Sequence, residues 1–524
     1  MSAKFLATLS LAALIGGPLP AQPRPDAPPP GRDAPADKDP DVAAASAVED
    51  AQPKRGAVTV AGRSIAYTAT PGTLTIRNEE GEPIASMFYV AYVADRAKGA
   101  RPRPVTFTFN GGPGSSSMWL HMGSIGPVQV QIADTTTTAP APYRIVPNRF
   151  SMLDKTDIVF LDAIGTGLSR PIGRAKVKDF ASVDKDIDAF ARGIIRYLTI
   201  ANRWDSPKFL FGESYGTLRA AGLAYALQQR GVQMNGVVLL SSILNYGVRQ
   251  PGYDQIHLTY LPTYAATAWY HDRLPNRPAT LEPFLSEVRQ WAIGPYANAL
   301  AKGDALPDAE RDAVARQLSA YTGLSTDYLI RSDLRVTLSR FRKELMRDRR
   351  RTVGRLDSRF LGIDADPVGE DPEYDATDAA ISGPYVGALN SYLFGTLGYR
   401  TPLSYRPNFY AELGGANWNQ GHAAPGGRGG GAAMALANTA LDLSAAMRQN
   451  PYLKVLSLNG YYDMATPFFG AEYDLGHMQL DRSLRGNLTF RYYEAGHMVY
   501  VKPAVMPLFK RDLDAFYDSA TTAP

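Results

Sequence analysis

The chain of 524 residues sets 55 Lys and Arg against 51 Asp and Glu, and a net charge of only +4 is far from the basic balance of a nucleic-acid binder, so no nucleic-acid partner is expected. It contains no cysteine, which excludes disulfides, thiolate metal sites and a lipid-bearing cysteine. No His-Glu-x-x-His spacing occurs either, so neither a metal nor another cofactor is expected.

At the start, Lys4 precedes an apolar run over residues 5–15, and Leu19-Pro20-Ala21 offers a small-residue cleavage site. Residues 1–21 therefore read as a signal peptide, and the apolar run is too short to span a bilayer, so no stable membrane insertion is expected after its removal. Export without cysteines predicts a periplasmic or secreted protein. Residues 22–55 are dense in Pro, Ala and Asp and read as a linker. Strands should begin near Val58. Residues 63–68, 73–77 and 84–94 alternate in polarity between the turn signals Ala61-Gly62 and Glu80-Gly81, which predicts an antiparallel edge.

Residues 105–109 alternate as a strand and run into Asn110-Gly111-Gly112-Pro113-Gly114-Ser115-Ser116-Ser117, where paired glycines let backbone approach a ligand. Further on, the strand-like residues 208–211 lead through Gly212-Glu213-Ser214-Tyr215-Gly216 directly into a helix-like run over 217–229. A strand that turns at once into a helix strains the residue at the bend and lifts its side chain above the sheet, the setting of a nucleophilic serine. Ser214 is that residue. In hydrolases of this design the residue after the nucleophile, here Tyr215, donates one N–H to an oxyanion and a glycine-rich loop donates another, for which Gly112 is the candidate.

About 250 residues separate Ser214 from the next motif, several times what a strand-helix-strand connection needs, so residues 244–399 read as an inserted domain. Leu334, Leu338, Phe341 and Leu345 recur at helical spacing, and residues 284–300 and 309–320 read as further helices, which makes a helical cap. Arg340, Arg342, Lys343, Arg347, Arg349, Arg350 and Arg351 form a basic run, expected as a solvated helix face, with binding of anionic substrates or envelope polymers as the alternative. Residues 426–431 are glycine-rich without a phosphate loop's Lys-Ser/Thr ending and read as a flexible loop.

Near the end, the apolar strand 453–458 leads to Asp463, and the strand 487–493 leads to His497. Both lie just past a strand's carboxyl end, where open α/β sheets concentrate function. His477, in the helix-like run 468–480, is the rival base, while His121, His257, His271 and His422 have no comparable setting. Asp463 reads alternatively as a helix cap before Thr466-Pro467. The order Ser214, Asp463, His497 is that of the α/β-hydrolase fold. This predicts a mostly parallel central sheet, with core segments 56–243 and 400–524 flanking a helical cap insertion.

Four motifs in order resemble the serine carboxypeptidase family: residues 110–117, Phe160-Leu161-Asp162-Ala163-Ile164-Gly165-Thr166-Gly167-Leu168-Ser169, Gly212-Glu213-Ser214-Tyr215 and Gly496-His497-Met498-Val499. The similarity extends over about 100–245 and 450–505. It implies Ser214 as nucleophile, His497 as base, Asp463 as its partner, Gly112 and Tyr215 as oxyanion donors, and Asn110 and Glu213 as binders of a substrate's terminal carboxylate. Departures are present. Ser124 stands where family members carry a second carboxylate-binding glutamate, Ser115 where cysteine is common, Gly216 where alanine is usual and Tyr500 where proline is usual. The resemblance thus implies an exported, bacterial-type serine hydrolase that acts on peptides and releases C-terminal residues. An esterase or acyltransferase with the same triad is the alternative, and an envelope binding protein without catalysis is a more distant one.

Overall fold

The computed structural model describes residues 45–409, 418–426 and 433–522. The expected signal peptide, most of the linker and residues 427–431 of the glycine-rich loop lie outside the described residues. The sheet is built from β1 (Lys54–Val60), β2 (Arg63–Arg77), β3 (Pro83–Ala94), β4 (Val105–Phe109), β5 (Asp157–Leu161), β6 (Lys208–Glu213), β7 (Gly236–Leu240), β8 (Lys454–Gly460) and β9 (Leu488–Tyr493). Their spatial order is β1-β2-β3-β5-β4-β6-β7-β8-β9, with a short strand at Arg170–Pro171 beside β3. The first three strands and the β3–β5 pair are antiparallel, and every pair from β5 to β9 is parallel. All residues of β4, β5 and β7 are buried, as expected for parallel strands covered on both faces.

The helices are α1 (Met118–Gly123), α2 (Val183–Ile200), α3 (Tyr215–Gln228), α4 (Gln255–Tyr270), α5 (Leu281–Trp291), α6 (Asp308–Thr322), α7 (Thr326–Arg331), α8 (Leu338–Glu344), α9 (Ala376–Asn390), α10 (Ala440–Gln449), α11 (Phe468–Gly476) and α12 (Met506–Thr521). Two apolar cores flank the sheet. One gathers Phe209, Phe211, Phe516 and Tyr517 with residues of α1 and α9, and the other gathers Phe107, Phe190 and Leu218 with residues of α2, α3 and α10. A third core belongs to the inserted helices, where Leu285, Leu318 and Phe341 meet Tyr461 and Phe468 of the sheet's carboxyl end. Among the described residues, no helix is long and apolar enough to cross a membrane.

Several local expectations shift. Residues 63–77 form one strand, because the N-terminal segment continues β2's pairing where β1 stops: Gln52 N–H donates to Pro71 O at 3.0 Å and Thr73 N–H to Asp50 O at 2.8 Å. The chain is thus tied to the sheet before the expected linker ends at 55, and Arg196 pairs with Glu49 at 2.7 Å. Helix 284–300 is interrupted, since Pro295 lacks the N–H for an intrahelical bond and the chain winds more widely over Ala292–Tyr296. Leu334 has φ +61° and precedes α8, so the stripe of four residues faces one core from two segments.

The basic run is solvated only in part: Arg349, Arg350 and Arg351 are exposed, whereas two of its members lie inside. Arg342 is buried and donates to Val353 O at 2.8 Å, and Lys343 is buried against Asp364 at 2.6 Å. Arg340 and Glu370 pair at 2.8 Å at the surface. Lys343→Met should therefore leave a buried carboxylate unpaired and destabilise the protein by about 3–5 kcal/mol. Arg340→Ala should cost under about 1 kcal/mol. Denaturant unfolding of the two variants measures the contrast.

Candidate active site

Strand β6 passes into α3 at Ser214, whose backbone takes φ +61° and ψ −132°. Few non-glycine residues adopt such a conformation, and it persists only where surrounding structure enforces it. Enforcement is visible at Gly212, where a Cβ would lie 2.0 Å from Gly216 O, so strand and helix touch with no room for a side chain. A Cβ on Gly216 itself would meet Phe109 O at 2.8 Å, which accounts for glycine at that position. Ser214 is half-buried, and its hydroxyl makes no hydrogen bond among the described residues.

Asp463 follows β8 and His497 follows β9. His497 Nδ1 lies 2.8 Å from Asp463 Oδ2, and both residues are buried. The carboxylate is held on every side: Thr466 Oγ1 donates to Oδ2 at 2.7 Å, and the Ala465 and Thr466 N–H groups donate to Oδ1 at 2.8 and 2.9 Å. These backbone bonds close a turn ahead of α11, whose N-cap is Pro467, so Asp463 caps no helix. Burial opposes charge on His497, but the Asp463 carboxylate outweighs it and raises the imidazole above the ordinary histidine value. The loop of His497 reaches the strand beside Ser214: Ser214 N–H donates to Leu240 O at 3.0 Å, and the next residue, Ser241, donates through Oγ to His497 O at 2.5 Å. His477 is elsewhere, exposed at the end of α11 and stacked on Tyr473.

The glycine-rich loop after β4 lies against the start of α3. A Cβ on Gly111 would be 2.4 Å from Tyr215 N, so the loop reaches the expected oxyanion donor through bare backbone. Gly112 is exposed, at φ +109°, a conformation that favours glycine. Among the described residues, neither the Gly112 nor the Tyr215 N–H donates a hydrogen bond, which leaves both for a ligand. Asn110 and Glu213 also meet: Asn110 Nδ2 donates to Glu213 Oε1 at 2.8 Å, while Leu120 N–H donates to Asn110 Oδ1 at 3.0 Å and fixes the amide's orientation. Burial pushes the Glu213 carboxyl up to about 7 despite the nearby His497, Tyr500 and Asn110. The residues singled out in the sequence therefore converge on one region. Two surface clefts, of about 680 and 540 Å³, are lined by residues of β2, α2 and adjoining loops and contain none of them.

Sequence reasoning missed the supports. Arg219, fully buried in α3, donates to Asn110 O at 2.7 Å and to Asp186 at 2.7 and 3.1 Å, and Tyr215 Oη donates to Asp186 at 3.1 Å. It clamps the glycine-rich loop to the helix that begins at the elbow. A basic residue in an otherwise apolar helix was the available signal. A second support comes from residues 404–409 and 418–426: Phe409 N–H donates to Gly114 O at 3.1 Å, Ser116 N–H donates to Pro407 O at 2.9 Å, and Trp418 packs edge-on to Tyr215 at 5.4 Å. His422 anchors this segment between Asp184 and Asp442 at 2.5 and 2.9 Å. Nothing local in its sequence marks that role. Arg219→Met should strand Asp186 in the core, cost about 3–5 kcal/mol and lower turnover of peptide and ester substrates alike, because the glycine-rich loop loses its clamp. Unfolding curves and paired kinetics check this.

Residues 67–272 match the model of the serine carboxypeptidase family. No curated protein matches the chain significantly. Among solved structures the chain is similar to a prohormone-processing carboxypeptidase from Saccharomyces cerevisiae, with 13% identity and a TM-score of 0.51 over 86% of this chain and 91% of that one. It is also similar to a highly thermostable carboxyl esterase from Bacillus coagulans, with 11% identity and a TM-score of 0.33 over 86% of this chain and 98% of that one. A proline iminopeptidase from Mycobacterium smegmatis gives 13% identity and a TM-score of 0.33 over 86% and 99%. The chain has the α/β-hydrolase fold with a mostly parallel central sheet, and over residues 67–272 it is similar to the serine carboxypeptidase family.

Proposed function

We propose that the protein is an exported carboxypeptidase that releases C-terminal residues from peptides through an acyl-enzyme on Ser214. The observation that carries this reading is Glu213: a carboxyl group held near neutrality by burial, hydrogen-bonded to Asn110 and one residue before the elbow serine. A carboxyl that keeps its proton can donate it to a peptide's terminal carboxylate, which an ionised one would repel. In the reaction His497 takes the Ser214 Oγ proton as that oxygen attacks the scissile carbonyl, and Asp463 holds the imidazole tautomer and offsets its charge. The Gly112 and Tyr215 N–H groups receive the oxyanion. His497 then gives its proton to the leaving amine, and water releases the acyl group by the same steps in reverse order. The inserted helices of 244–399 cap the cleft in this reading, between core segments 56–243 and 400–524. Removal of residues 1–21 places the enzyme in the periplasm or outside the cell.

One observation favours an esterase or acyltransferase instead. The Ser124 hydroxyl is turned onto Leu120 O at 2.6 Å, inside its own helix, so it does not replace the glutamate that its relatives carry. Only half of the familiar carboxylate-binding pair then remains.

A fluorophosphonate probe should label Ser214, and Ser214→Ala should abolish labelling. His497→Ala should lower turnover almost as far as Ser214→Ala, on the order of a millionfold, with the double variant little worse. His477→Ala should matter little; reversed histidine phenotypes would reassign the base.

The carboxyl of Glu213, ordinarily near 4.3, lies at about 7, so it is protonated in acid and ionises as the pH rises through neutrality. The ratio of kcat/KM for a free-C-terminus peptide to that for its amide should therefore be high below about 7 and fall above it. Glu213→Gln should flatten that profile, with a simple ester as control for damage to the elbow. A wild-type ratio near one at acid and neutral pH would leave the esterase or acyltransferase reading in front.

A further inference from the structure

Tyr500 lies three residues beyond His497, in the helical turn Val499–Val501. Its side chain is buried, and its ring covers the Gly123 Cα so closely that a Cβ there would lie 2.5 Å from Cδ2. The Tyr385 hydroxyl crowds the same glycine, at 2.4 Å from that Cβ position, and Tyr385 itself packs against Trp119 with ring centroids 4.8 Å apart. Glu213 Oε2 and Tyr500 Oη are buried and close enough for a weak hydrogen-bonding interaction with each other, and Tyr500 interacts likewise with Asn110, yet neither atom makes a hydrogen bond of full geometry. Two polar atoms side by side in a protein interior without a well-formed bond call for a ligand or a functional reason, since such groups are almost always fully satisfied. Asn110 serves Glu213 only through Oε1, and Ser124 is committed to Leu120 O.

We propose that Tyr500 is a specificity-determining residue whose hydroxyl forms, with the Glu213 carboxyl, a two-donor fork for the terminal carboxylate of a peptide substrate. The proposal rests on the carboxypeptidase reading and supplies the group that Ser124 lacks. Each oxygen of a carboxylate accepts one hydrogen bond, from Glu213 Oε2–H and from Tyr500 Oη–H. A phenol differs from a second carboxyl in one respect that matters. Burial and the neighbouring Glu213 raise Tyr500 well above the ordinary tyrosine value, so it keeps its hydrogen throughout the working pH range and needs no shared proton. When Glu213 ionises, the same hydroxyl can turn onto Oε2 and stabilise the anion, and the fork closes.

The charged and titratable groups around Glu213 are His497, which favours its ionisation, Asp463, which opposes it, and Tyr500 and Asn110, which favour it. Tyr385 on α9 adjoins it as a neutral phenol. Removing the Tyr500 hydroxyl should therefore do two separable things. It should weaken binding of free-C-terminus peptides in acid, and it should make Glu213 harder to ionise.

The experiment compares wild type, Tyr500→Phe, Glu213→Gln and the double variant. Phenylalanine keeps the ring over Gly123, and a simple ester reports folding and Ser214 chemistry. In acid, Tyr500→Phe should lower kcat/KM for a free-C-terminus peptide roughly tenfold more than for the ester, chiefly through KM, the loss of one hydrogen bond to a charged group. The pH midpoint of the free-peptide preference should rise by roughly one unit. The Glu213 midpoint, read by infrared from the protonated-carboxyl band that Glu213→Gln removes, should rise with it. In the Glu213→Gln background the KM effect should persist and the midpoint shift vanish. A Tyr500→Phe enzyme with wild-type peptide-to-ester ratio and unmoved midpoints, while the wild type still prefers a free C-terminus, would overturn the fork alone. Wild-type indifference to the terminal carboxylate would overturn the carboxypeptidase reading and the fork together.

Discussion

A strand and a helix meet at Ser214 with only that residue between them, and the other features of the site depend on that junction. The bend at φ +61° turns the Ser214 side chain away from the strand's alternation and aligns the first N–H of α3 beside the glycine-rich loop. The same bend leaves Glu213 as the last regular residue of β6, so its side chain goes into the protein. One backbone constraint thus produces a partly exposed hydroxyl, a free N–H and a buried carboxyl within three residues. Holding such a conformation costs about 1–3 kcal/mol, which surrounding contacts must offset. Arg219 is the most evident of them, since it ties α3 to both Asn110 and Asp186 from a fully buried position.

Glu213 and His497 make opposite demands for protons. In the proposed reaction the carboxyl must keep one and the imidazole must lack one, yet each charged form stabilises the other. Loss of the Glu213 proton therefore favours proton uptake at His497, and the reverse. A peptide carboxylate bound beside Glu213 resolves the conflict. It favours the protonated carboxyl directly by accepting its hydrogen bond, and it leaves a negative charge near His497 that stabilises the imidazolium formed as Ser214 loses its proton. Recognition and base chemistry are then linked through one buried charge.

The elbow was readable in the sequence because its requirements are local: a strand period that stops, a serine between glycines and a helix that starts at once. The placements of Asp463 and His497 were readable for a similar reason, since a short apolar strand ending in a polar residue is a local pattern. What escaped the sequence is non-local. Residues 404–409 and 418–426 grip the glycine-rich loop and Tyr215 almost 200 residues or more away in the chain, through backbone bonds and ring packing that leave no periodic trace. The joining of 63–68 and 73–77 into one strand depends on pairing with residues 50–52, which composition alone assigned to a linker. Arg342 and Lys343 look like surface charge because sequence carries no sign of the carbonyl and carboxylate that receive them inside the insertion.

The insertion reaches further into the catalytic region than a lid would. His497 N–H donates to Leu356 O at 2.6 Å, Met464 N–H to Arg355 O at 3.0 Å, and Ser358 N–H to Tyr462 O at 2.9 Å. Asp357, itself locked to Arg359 at 2.6 Å, packs directly on the Gly496 Cα. Residues 355–358 are thus joined by backbone to both loops that carry the His497–Asp463 pair. Movement of this stretch would displace His497 from Asp463. The segment lies between β7 and β8 in chain order and is joined to the loops of Asp463 and His497 by its contacts.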